Sequence, residues 1–134
     1  MILPAGATIV VADGETVRLF HNASVKPGVH LVETTAGPSA PARSGSGARH
    51  HGGSANPDAR RLAEDDFAAA TAAVLNKLGL DGSIEHLVIV SDPRTLGEMR
   101  KHFRRELKDK IIRELAKDFS RRPLEDISAL IAAA

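Results

Sequence analysis

The residues best equipped for chemistry are crowded into one stretch of the chain. Between Gly37 and Pro57 stand Arg43, Ser44, Ser46, Arg49, His50, His51, Ser54 and Asn56, set among glycine, proline and alanine. A metal needs ligands that converge, but adjacent His50 and His51 project apart unless the backbone bends tightly. No acidic cluster lies beside them, so no metal ion is expected. A nucleophile, base and acid can be drawn from Ser54, His51 and Asp58, although nearness in sequence is not triad geometry. Gly45-Ser46-Gly47 and Gly52-Gly53-Ser54 expose backbone amides ahead of a helix start, a combination that cradles anions. Lysine is missing from the segment, which excludes a Walker-type nucleotide site, and no cofactor is expected. Contact with RNA phosphate or another anion by Arg43, Arg49, His50, Arg60 and Arg61 stays open. The plainer alternative is a linker whose composition only keeps it solvated.

The segment contains no Val, Ile, Leu or Phe, so it cannot join a core and is expected to be an exposed loop, mobile at its tip. Loops longer than about 12–15 residues inside compact domains are usually functional or disordered. The elements around the loop must therefore hold it. Before it, Thr8–Ala12 is β-branched and apolar, Asp13-Gly14 supplies a turn, and Val17–His21 and His30–Thr35 give two further strands. Three short strands joined by turns predict an antiparallel meander in which the first is the most buried. After the loop, Asn56 or Asp58 caps a helix that Pro57 opens. Its expected stripe is Leu62, Phe67, Ala70, Val74, Leu75 and Leu78, and Gly79 or Gly82 ends it.

Leu87–Val90 is a continuous apolar run, as in a strand buried on both faces. Ser91-Asp92-Pro93-Arg94-Thr95 follows at a strand-to-helix junction, a favoured binding position in α/β sheets, and Arg94 is a further candidate anion contact. A helix cap by Ser91 or Asp92 is the simpler role. Helical spacing of Leu96, Met99, Phe103 and Leu107 predicts one helix over 94–107. Lys110–Phe119 fits helical periodicity better than strand alternation, and Pro123 opens a last helix carrying Leu124, Ile127, Leu130 and Ile131. His21, His30, His86 and His102 are scattered and suit strand ends or helix surfaces.

At 134 residues the chain suits a single domain over 1–134, with the loop at 37–57. It has no cysteine, tyrosine or tryptophan, and four phenylalanines: Phe20, Phe67, Phe103 and Phe119. Disulfides, thiolate metal sites and thiol nucleophiles are excluded, as is an aromatic platform for stacked bases. No stretch has the signature of a signal peptide or a membrane span, and a cytoplasmic location is expected. The formal net charge is +1, but it is unevenly spread. Acids dominate from Asp58 to Asp92 and bases from Arg94 to Arg122. The basic stretch could meet phosphate, or it could be a solvated face with intrahelical ion pairs.

Several segments together resemble the bacterial host attachment family, proteins described as required for attachment to host cells. They are Val10–Gly14 with Arg18-Leu19-Phe20, Gly47–Asp58, Phe67–Ala70, Leu75-Asn76-Lys77, Pro93–Glu98 with Lys101-His102, and Glu114–Pro123. That family is similar to bacterial relatives of the archaeal and eukaryotic peptide-chain release factor, and shares its central domain. The resemblance implies an α/β fold with a mixed, RNase H-like sheet in the order strand-strand-strand-loop-helix-strand-helix-strand-helix. It also implies that Lys110–Ala116 is a strand, against the periodicity. In such domains the loop between third strand and long helix carries a Gly-Gly-Gln motif that enters the ribosomal peptidyl-transferase centre.

This chain has Gly52-Gly53-Ser54 there and no glutamine anywhere, so Gln-dependent hydrolysis of peptidyl-tRNA is not expected of it. What the resemblance implies is a module that meets ribosome or tRNA through Arg49, His50, His51, Gly52, Gly53, Ser54 and Asn56. The alternatives are an attachment-related module binding a protein or glycan, and a small hydrolase using His51 or Ser54.

Overall fold

The computed structural model describes residues 3–24, 28–34 and 57–134. Strands β1 (Thr8–Ala12), β2 (Val17–Asn22) and β3 (Leu31–Thr34) form the expected antiparallel meander. Helix α1 (Pro57–Leu80) leads to β4 (Leu87–Ser91), then α2 (Pro93–Arg100), the one-turn α3 (Arg105–Lys108), β5 (Ile111–Ala116) and α4 (Leu124–Ala133). The five strands lie in the order β3-β2-β1-β4-β5, with β4 parallel to both β1 and β5. This is a mixed α/β fold. Its order and directions are compatible with the RNase H-like arrangement that the resemblance implies.

Side chains alternate across the strands, so β1 and β4 supply two cores at once. Val10, Ala12, Leu19, Leu87 and Ile89 face Phe67, Ala68, Ala72 and Leu75 of α1, together with Leu96, Met99, Phe103 and Leu107. Ile9, Val11, Phe20, Leu31, Val88 and Val90 face Ile127 and Ile131 of α4. Every residue of β4 is buried, as its unbroken apolar run predicts. Within the meander β1 is the most buried strand, also as expected.

Three sequence expectations need correction. Leu62 is 64% exposed rather than part of the α1 stripe, because the buried face begins only at Phe67. The helix expected over 94–107 is broken after Arg100. The cause comes from another element: the Asn76 side chain on α1 donates to the His102 carbonyl at 2.8 Å and accepts the Arg104 N–H at 2.8 Å. One side-chain amide thus takes two backbone groups that a continuous helix would have paired internally. Finally, the helical periodicity over 110–119 misleads. Residues 111–116 are the strand that the resemblance implies, with a register shift that pairs Leu87 with Ile111 and Val88 with Arg113. Ile112 is the extra residue of a β-bulge, and this insertion replaces a period of two by spacing that imitates a helix.

The β1–β2 turn forms where Asp13-Gly14 predicts it. Asp13 Oδ1 accepts the N–H groups of Glu15 at 2.7 Å and Thr16 at 2.6 Å. Gly14 is required by close approach, since a Cβ there would stand 2.8 Å from Glu64 Cγ on α1. Beyond Leu80, Gly82 takes a φ of +86° and turns the chain toward β4. Lys110 Nζ donates to the Gly79 carbonyl at 2.6 Å, placing a cation at the C-terminal end of α1.

Candidate functional site

Strands β1, β3, β4 and β5 all point the same way, so Ala12, Thr34, Ser91 and Ala116 end at one edge of the sheet. The chemically rich segment leaves the described structure after Thr34 and re-enters it at Pro57. Arg43, Arg49, His50, His51, Gly52, Gly53, Ser54 and Asn56 lie outside the described residues. What the structure does describe is the carboxyl edge of the sheet, from which that segment departs. Open α/β sheets bind ligands at such edges.

The edge is a web of charges that have found partners. Besides the turn amides, Asp13 holds Ser120: its Oδ2 accepts the Ser120 hydroxyl at 2.7 Å, and Asp118 Oδ1 lies 2.9 Å from the same hydroxyl. Burial alone would push the Asp13 carboxyl up. The hydrogen bonds from the Ser120 hydroxyl and from the Glu15 and Thr16 amides outweigh burial and hold it below the ordinary carboxylate value. Arg18 reaches both oxygens of Glu33, at 3.2 and 3.1 Å, and donates to the Arg122 carbonyl at 2.8 Å. Its guanidinium also lies over the Phe20 ring, 5.0 Å from the centroid.

Of the arginines proposed from sequence, Arg60 stands 3.9 Å from both Glu15 and Glu64. Arg94 bonds Asp65 at 2.7 Å and approaches Glu64 at 4.0 Å. Arg61 is exposed and makes no ion pair among the described residues. The fold brings Glu15 to Arg60, and Glu64 and Asp65 to Arg94, from other elements, whereas Arg60 and Glu64 stand one turn apart on α1. Asp92 is the cap the sequence suggested, with its Oδ2 accepting the Thr95 N–H at 3.1 Å. Its Oδ1 is buried with no hydrogen-bond partner among the described residues.

Among the described residues, no three histidines or acids stand together in a way that could hold a metal ion. His102 contacts Glu98 at 3.3 Å, a pair one helical turn apart. No helix among them is long and apolar enough to cross a membrane.

Residues 6–131 match the family model described as bacterial archaeo-eukaryotic release factor family 12. The chain therefore belongs to that family. No curated protein matches it.

Proposed function

We propose that the chain is a single release-factor-like domain over 1–134 that acts in the cytoplasm and contacts ribosome or tRNA. The segment Arg49-His50-His51-Gly52-Gly53-Ser54, with Asn56, is its leading contact. The observation that carries this reading is the family match over 6–131. The position of the segment supports it: both of its described ends lie at the carboxyl edge of the sheet. Arg61 flanks the segment as an exposed cation, and Arg43 lies within it. Arg60 and Arg94 can join by exchanging surface ion pairs, each worth about 0.2–1 kcal/mol, for phosphate.

The mechanism proposed is binding rather than bond cleavage. Arginine and histidine meet phosphate oxygens, while the glycines let backbone amides approach closely. Serine stands where glutamine would be, and the chain has no glutamine to act in its place. No observation favours the attachment-related module or the small hydrolase over this reading.

Co-sedimentation with ribosomes tests it. The chain is expected to pellet with ribosomes at low salt and to be released at high salt, since phosphate contacts release counterions. Absence from the ribosome pellet at every salt concentration removes the reading. Turnover of peptidyl-tRNA that vanishes in His51→Ala would establish the hydrolase instead.

A further inference from the structure

A second surface differs from the carboxyl edge in the state of its cations. Strand β5 is an edge of the sheet, and beside it lies an open groove of about 680 Å³, lined by Arg100, Lys108 and Arg113 with Phe103, Ile112 and Glu114 among its walls. Arg100 is bound to Glu114, its Nε donating to Oε1 at 2.8 Å. The side chains of Lys108 and Arg113 are exposed and form no ion pair among the described residues. The same holds for Arg104 and Arg105, which lead into Lys108 on α3. Exposed Glu106 and Asp109 stand among these four cations, and the surface keeps a positive excess, which favours anions without the cost of breaking an existing pair.

The shape of the groove narrows the occupant. It is wide open to solvent, which does not suit an enclosed small molecule. The bulge at Ile112 interrupts the regular ladder of the edge, and bulges blunt edges against an added peptide strand. Phe103 is only 7% exposed, so it presents no ring on which a base could stack. Ile112, at 42% exposure, offers an apolar step between the cations. The geometry points to an RNA phosphate backbone, contacted through Lys108 and Arg113 without base readout. This inference rests on the RNA-facing reading given above and adds to it a surface distinct from the segment at the carboxyl edge.

The test is binding of the full chain to a labelled RNA hairpin across a salt series. Lys108→Ala/Arg113→Ala is expected to weaken binding about tenfold at low salt and to reduce the slope of log K against log salt by about 1.5–2. The charge-preserving Lys108→Arg/Arg113→Lys should keep both affinity and slope. Both positions are exposed, so an unchanged melting temperature confirms that each variant is folded. If the alanine variant binds the hairpin with wild-type affinity and slope, the β5 surface is wrong while RNA binding stands. If the wild-type chain binds neither the hairpin nor ribosomes, both this surface and the RNA-facing reading fall. If poly-glutamate displaces the hairpin as well as unlabelled RNA does, the partner is an acidic polypeptide and the RNA assignment is overturned.

Discussion

Cations stand both at the carboxyl edge of the sheet and beside β5, and the two regions differ in how many of them are paired. At the carboxyl edge Arg18, Arg60 and Arg94 are each within reach of a carboxylate from a different element. Beside β5, Lys108 and Arg113 are exposed and form no ion pair among the described residues. The first arrangement fixes local geometry where the candidate segment departs. The second leaves charge available to a partner. Sequence alone gives these arginines one appearance, because the distinction depends on which acids the fold brings near them.

Substitutions should separate the two regions by the size of their effect. Asp13→Ala should cost the most, about 2–3 kcal/mol in thermal or denaturant unfolding. It strips the acceptor from two turn amides and removes the nearer of the two carboxylates that accept from the buried Ser120 hydroxyl. Asn76→Ala should cost about 1–2 kcal/mol. It leaves the His102 carbonyl and the Arg104 amide without their partner and loosens the α2–α3 junction that precedes Lys108. A loss for Asp13→Ala no larger than for a surface alanine would break the contrast.

Acid should weaken the carboxyl edge through Asp13. The folded-state pKa of Asp13 lies below its ordinary value, so the stability it contributes is fully present above the unfolded carboxylate range. That stability is lost as pH falls through the folded pKa. Unfolding free energy should therefore decline below about pH 4, and Asp13→Asn should flatten that decline. An equally steep acid limb in the variant would assign the effect to other carboxylates.

Smaller effects complete the ranking. Arg94→Ala removes exposed pairs to Asp65 and Glu64 and should cost no more than about 1 kcal/mol, less in high salt. Lys108→Ala/Arg113→Ala should change stability by less than about 0.5 kcal/mol, since neither exposed side chain has an ion-pair partner among the described residues. A large loss there would mean that the β5 cations are structural.

What was legible in the sequence follows the range of the interactions. The Asp13-Gly14 turn, the Pro57 and Asp92 helix starts and the buried run Leu87–Val90 depend on neighbours in the chain, and each formed where expected. The helix break at Arg100 depends on Asn76, and Arg94 is held by Asp65, a partner 29 residues away. Local periodicity contains neither. The bulge at Ile112 actively disguised β5 as helix, and only the family resemblance opposed that. For the candidate site, Arg60, Arg61 and Arg94 are placed, while the segment from Arg43 to Asn56 lies outside the described residues.

The most direct measurement compares ribosome pelleting of the wild-type chain with Arg49→Ala/His50→Ala/His51→Ala. The account predicts that the wild type pellets with ribosomes at low salt, and that the variant stays largely in the supernatant with an unchanged melting temperature. Equal pelleting of the two chains, or pelleting of neither, would contradict it.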